Sequence, residues 1–222
     1  MLWLDLPQIF KVQYDHLQEQ TMTELSKKLE MPTFVWVTLG ACLWLIFVFL
    51  LQQLGNWETA WSILPRHLNN WRGFLLSSSL HGSWQHLSGN MLAILTLGLL
   101  MGHLYPKETL KALAVVWVVS FSFTWLLGAP GSAHMGASGI IYGLMAFAVV
   151  YPFFRREFKP MIGGLLVLIV FGGAVWGLLP QEGVSMAGHV GGALGGVVSA
   201  LLMRPKKKNK DSEGQKRSFL VK

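Results

Sequence analysis

The chain has little charge and almost no thiol. Asp, Glu, Lys and Arg make up 13% of its 222 residues, while 52% are hydrophobic. A soluble domain carries nearly twice that share of charge. A mean hydropathy of +0.45 points the same way and excludes an ordinary soluble domain. The single cysteine, Cys42, excludes a disulfide framework and any Cys-based zinc or iron–sulfur site within one chain. In the first span it reads as a small apolar residue. Residues 1–33 lack a long apolar stretch and carry Asp5, Asp15, Glu19, Glu24 and Glu30. No cleavable signal peptide is read there, and the first membrane span is expected to be internal.

What the chain does have is a series of apolar runs long enough to cross about 30 Å of hydrocarbon. They lie at about 34–51, 84–101, 112–127, 137–154, 161–179 and 185–203. Lipid offers no hydrogen bonds to exposed backbone, and no alternating barrel pattern is present, so each run is read as a helix. The expected fold is an all-α membrane protein, a polytopic bundle of six transmembrane helices over 34–203. It is flanked by an N-terminal segment, 1–33, and a polybasic tail, 204–222. Among the residues of the first segment, Leu6, Ile9, Phe10, Val12 and Leu17 fit an interfacial helix.

Sixteen of the eighteen Lys and Arg residues fall in the N-terminal segment, the second–third loop, the fourth–fifth loop and the tail; only Arg66 and Arg72 lie in the opposite loops. With an even span count, both termini are expected in the cytoplasm of a cell that places this chain in its inner membrane. The long first loop, 52–83, then faces outward, and Trp57, Trp61, Trp71 and Trp84 suit a membrane interface. The tail of Lys206, Lys207, Lys208 and Lys210 reads as an anchor for anionic lipid; a net charge of +7 concentrated there does not call for nucleic acid.

Polar groups inside spans are costly and are functional candidates, weighed against plain helix–helix hydrogen bonding. His86 and Asn90 lie one turn apart near the start of the second span, with His81 just before them. Ser138 sits in Gly136-Ala137-Ser138-Gly139 at the start of the fourth, and His189 in the first turns of the sixth. The second, fourth and sixth spans all run from outside to inside, so these residues are expected at similar depth. Gly188, Gly192 and Gly196, beside Ala187, Gly191 and Gly195, let the sixth helix approach the Gly139 and Gly143 face of the fourth closely enough for a serine–imidazole hydrogen bond. Tyr142 shares a face with Ser138 and can pack under the imidazole.

A serine hydroxyl needs a base, and His189 is the candidate. All eleven acidic residues fall outside the spans, and only Glu58 and Glu182 lie on the outer side, so a Ser–His dyad is preferred over a triad. His86, Asn90 and the Ser138 N–H could stabilise an oxyanion, which makes acyl transfer the consistent reaction class.

Trp71-Arg72 in the first loop, His81-x4-His86-x3-Asn90, Gly136-x-Ser138-Gly139 with Tyr142, and His189-x2-Gly192-x3-Gly196 together resemble the rhomboid intramembrane serine proteases. The resemblance spans about residues 71–203. It implies a six-helix bundle with an outward-opening water-filled cavity, Ser138 as nucleophile and His189 as general base. It further implies an oxyanion-assisting role for His86 and Asn90, and a structural one for His81. Substrates of the family are membrane-anchored proteins cut in or near a transmembrane segment, and no metal, nucleotide or other cofactor is required. The glutamate that many bacterial members carry near the inner end of the second span is replaced by Met101-Gly102-His103. Gly89 precedes Asn90 where bulkier residues can occur, and Phe171 and Trp176 are candidate gate residues. The rival readings are a non-catalytic polytopic protein, either a catalytically inactive relative that binds membrane clients or an unrelated small transporter, and a haem or metal protein. The second is disfavoured because His81 and His86 point about 140° apart on a helix. Substrate and oligomeric state are not encoded legibly.

Overall fold

The computed structural model describes residues 13, 14, 16–18, 32–55 and 58–205. Of the expected interfacial helix, Leu17 is described, helical and exposed; the rest of its apolar set and the tail from 206 onward lie outside the described residues. Six apolar helices follow: α1 (Thr33–Gln52), α2 (Trp84–Leu104), α3 (Pro106–Leu127), α4 (Ser138–Arg155), α5 (Phe158–Phe171) and α6 (Met186–Leu202). Five helical stretches are long and apolar enough to cross a membrane, α5 being counted with its continuation to Leu178; α6 is the shorter sixth at 17 residues.

Two boundaries depart from the sequence expectation for physical reasons. Helix α3 begins at Pro106 instead of near 112, because proline fits the first helical position and Glu108 suits the first turn. Lys107 and Lys111 lower the hydropathy there without breaking the helix. The fifth span was expected to be one regular helix to 179, yet it tightens into a 3-10 segment over Gly172–Leu178. The Gly172-Gly173 pair, with no Cβ to hold an α-helical path, marks the change.

Helix α6 is the central stave, wedged between α3 and α4. A Cβ on Gly192 or Gly196 would strike the carbonyls of Gly139 and Gly143 on α4. One on Gly191 would meet Phe123, and one on Gly195 would meet Val116, both on α3. The two small-residue rows therefore serve two different neighbours. Hydroxyls stitch the α3–α6 seam: Ser120 donates to the Gly188 carbonyl at 3.0 Å, and Ser199 to the Ala112 carbonyl at 3.5 Å. Large apolar residues of α2 and α4, among them Leu97, Met101, Phe147 and Tyr151, fill the remaining core.

The first loop is built, not slack. Helix Trp71–Leu76 lays Phe74 against Trp117 and Phe121 of α3, with ring centroids 4.2 Å apart in each pair. Ile63 and His134 exchange backbone hydrogen bonds of 2.8 and 2.9 Å, tying the loop to the segment before α4. At the opposite end of the bundle, Glu157 binds Arg155 at 2.7 Å and accepts from the Tyr105 hydroxyl at 2.9 Å. The guanidinium holds the Glu157 carboxyl below its usual range, and burial pushes the Tyr105 phenol up. A carboxylate thus stands at this end of the bundle, supplied by the fourth–fifth loop, while His103 packs edge-on against Phe34.

Candidate active site

The N-terminal ends of α2, α4 and α6 converge on one cavity of about 730 Å³, open on one side and lined by His86, Asn90, Ser138, Tyr142 and His189. Ser138 is the first residue of α4. Its N–H therefore has no acceptor within the helix and sits at the positive end of the helix dipole. His189 Nε2 lies 2.8 Å from Ser138 Oγ, and Nδ1 lies 2.8 Å from the Gly177 carbonyl. A carbonyl oxygen can only accept, so Nδ1 carries the proton and Nε2 presents its lone pair to the Ser138 O–H. The imidazole is held flat by Tyr142, whose ring stacks on it at 4.1 Å with planes 12° apart. The Tyr142 hydroxyl donates to the Ala174 carbonyl.

Both anchoring carbonyls, Gly177 and Ala174, belong to the 3-10 segment. The Gly177 carbonyl, one residue from the segment's end, has no i+3 N–H within it and is free to accept, while the Ala174 carbonyl offers its second lone pair. No carboxylate orients His189 among the described residues, and Glu182 is exposed. Chemically, a hydroxyl bonded to the unprotonated nitrogen of a fixed imidazole is set for general-base-assisted nucleophilic attack.

Gly136 needs to be glycine twice over. Its φ of +117° lies where side chains are strained, and a Cβ there would enter the His86 ring. The ring of His86 faces the cavity without a hydrogen bond from the described residues, whereas its backbone N–H is capped by Ser83 Oγ at 3.1 Å. Asn90 donates to His81 Nε2 at 2.9 Å.

His81 is buried at 1% exposure and lies just outside the cavity. Its Nδ1 donates to the Ser79 carbonyl at 3.2 Å. Its backbone N–H and C=O both pair with the Gln52 amide at the end of α1, at 3.0 and 3.2 Å. Burial, reinforced by the nearby His86, pushes the imidazole down to about 4 from an ordinary 6.5. The fold thus holds the neutral form. The stability this contributes is fully present above pH 6.5 and is lost as pH falls from there toward 4, on the order of 3 kcal/mol in all. Thermal unfolding in detergent is expected to shift to lower temperature over that window; His81→Phe should start less stable at neutral pH and show a flatter acid limb.

Trp71 and Arg72 are not brought to the cavity. Both are exposed at the start of the loop helix, with the Arg72 guanidinium 5.3 Å from the Trp71 ring centroid. Trp176 is exposed at 64%, and Phe171 packs against the core. A Cβ at Gly89 would meet nothing within 4 Å, so α2 has open space on that face.

His134 escaped the sequence reading. It lines the cavity, with Nε2 2.7 Å from Ser132 Oγ and Nδ1 2.7 Å from Ser185 Oγ. Ser132 already donates to the Ala129 carbonyl at 2.6 Å, so it accepts from Nε2–H, and Ser185 donates to Nδ1. Ser185 Oγ also caps α6 by accepting from the Gly188 N–H. His134 thereby fastens the segment leading to Ser138 to the cap of the helix carrying His189. Burial lowers its basicity. His134→Ala is expected to cost about 2 kcal/mol, two net hydrogen bonds, in a thermal or denaturant unfolding measurement. A serine four residues ahead of His189 at a helix start was the one legible clue to this network.

The sequence model of the rhomboid domain matches residues 68–206. The chain belongs to the rhomboid family. Its six apolar helices are those of a multi-pass rhomboid membrane protein, and the cavity lies wholly within the matched region. Among similar proteins, an uncharacterized protein of Mycobacterium tuberculosis is 37% identical over 175 residues, covering 74% of this chain and 73% of its own. An uncharacterized protein of Mycobacterium leprae is 38% identical over 148 residues, with 62% and 59% covered. Rhomboid protease AarA of Providencia stuartii is 28% identical over 159 residues, with 60% and 56% covered.

Proposed function

We propose that this rhomboid is an intramembrane serine endopeptidase that cleaves transmembrane protein substrates through Ser138 and His189. The observation that carries the reading is the 2.8 Å contact between Ser138 Oγ and an imidazole nitrogen whose ring partner is already protonated toward Gly177. In this reading the Ser138 oxygen attacks the scissile carbonyl while its proton passes to His189 Nε2. The carbonyl oxygen becomes an oxyanion facing the Ser138 N–H at the start of α4, with His86 and Asn90 as further donors. Collapse of the tetrahedral species breaks the C–N bond, and His189 returns the proton to the leaving amine. Water then repeats the sequence on the acyl-enzyme and releases Ser138.

In an inner-membrane location, sixteen cationic residues against two favour both termini cytoplasmic and the cavity toward the outer side. Substrates would be membrane-anchored chains whose helix unwinds locally to bring a backbone carbonyl to Ser138, since carbonyls within an intact helix are already bonded to the i+4 N–H groups.

Two measurements on the full chain in proteoliposomes test this. A fluorophosphonate probe should label Ser138, and a panel of tagged transmembrane substrates should yield defined fragments. If neither the probe reacts nor any substrate is cut, an inactive client-binding rhomboid is the better description.

A further inference from the structure

A second groove, about 400 Å³, lies on a different face of α4 from the dyad cavity, bounded by α1 and α3. It exists because α1 leans chiefly on α2 and on the Ser77–Ser79 turn, where Thr38 and Phe34 sit over Gly98 and Gly102. The α1 wall runs from Thr33 to Leu45, which at 1.5 Å per residue is about 18 Å. That volume over that length, with the water radius of about 1.4 Å restored at each wall, gives a slot roughly 8 Å wide, room for an alkyl chain. An α-helix is 10 Å or more across with its side chains, so neither a partner's helix nor one from a second copy fits.

The two ends differ. At one, beside Thr33, stands Lys107 in the first turn of α3, exposed and without an ion pair among the described residues. At the other, Trp44 Nε1 donates to Ser79 Oγ at 2.9 Å, and Ala137, next to Ser138, forms part of the lining. Between them the walls are almost entirely apolar. A narrow apolar slot with a lysine at its mouth matches a lipid tail carrying an anionic head. We infer that this groove binds one acyl chain of an anionic phospholipid whose phosphate pairs with Lys107. The inference is independent of the protease reading.

The test places the full chain in phosphatidylcholine vesicles containing a small share of phosphatidylglycerol that bears a photoactivatable diazirine on its acyl chain. After irradiation, labelled residues are mapped by mass spectrometry. Labelling of Trp44, Leu110 and Leu113 should exceed that of the outward α5 residues Leu165 and Ile169. Lys107→Gln should lower groove labelling about fivefold, the value of one basic residue at an anionic surface, and leave α5 labelling unchanged. Ala41→Trp, which fills the slot but retains Lys107, should also remove it. Groove labelling no higher than on α5, indifference to Lys107→Gln, or equal displacement by unlabelled phosphatidylcholine and phosphatidylglycerol would each overturn the proposal.

Discussion

Ser138→Ala is expected to abolish cleavage and probe labelling while leaving the helix bundle intact. The variant removes one oxygen atom at the first position of α4, where the side chain caps nothing and faces the cavity. Little stability is at stake. The chemistry, by contrast, loses its nucleophile, and losses of roughly 10⁴–10⁶-fold are usual when a serine–histidine unit is broken. His189→Ala should reach a similar floor, because the hydroxyl without a base is as inert as the base without a hydroxyl. The double variant should be no worse than either single one, since residues that act as a unit are not additive. A double variant clearly worse than both would mean that Ser138 and His189 contribute separately, and the dyad reading would fail. Assays of fragment formation in proteoliposomes, with thermal unfolding as the fold control, decide the matter.

Gly192→Ala is the second large effect expected, and it acts through distance. The added methyl would occupy the space of the Gly139 carbonyl, one residue beyond Ser138 on α4, from a position one turn beyond His189 on α6. Backbone on both sides leaves no flexible side chain to give way. The helices must separate, at about 1–3 kcal/mol for overpacking. The 2.8 Å serine–imidazole contact lies next to the point of separation, so it lengthens with it. A displacement near 1 Å typically costs on the order of 100-fold in rate. The expected result is a folded protein with a lowered unfolding temperature and about 100-fold slower cleavage. Gly89→Ala, where the methyl meets open space within α2, is the matched control: it should not slow cleavage, and it should hold or slightly raise the unfolding temperature. Near-normal activity in Gly192→Ala would show that the α4–α6 seam does not set the site geometry.

Much of this arrangement was legible before any coordinates. Ser138, His189, His86 and Asn90 are polar in runs that should be apolar, and the alternating direction of successive spans puts the starts of the second, fourth and sixth on one side. The glycine rows of α6 were legible because only the absence of a Cβ permits such close backbone contact. The division of those rows between α4 and α3 was not, because either face of an isolated helix is equally glycine-rich. Gln52 looks like the polar end of a span; that its amide reads the backbone of His81, 29 residues away, is a tertiary fact without a local signature. Lys107 and Lys111 masked the first turns of α3, since hydropathy weighs charge and ignores the helix start signalled by Pro106.

The 3-10 segment after α5 has a consequence for how this protein would be read by genetics. The group that fixes the His189 tautomer is the carbonyl of Gly177, and the group that braces Tyr142 is the carbonyl of Ala174. Neither belongs to a side chain. A saturation screen that replaces every residue in turn would delete Ser138 and His189, the proposed nucleophile and base, yet it would never delete these acceptors, because every amino acid carries the same carbonyl. Substitutions there would register only through bulk or a shifted backbone; the Gly177 methyl, for instance, would collide with the Tyr142 hydroxyl. The third member of the proton-handling set is thus inherited with the path of the main chain and is silent to any search for a required side chain.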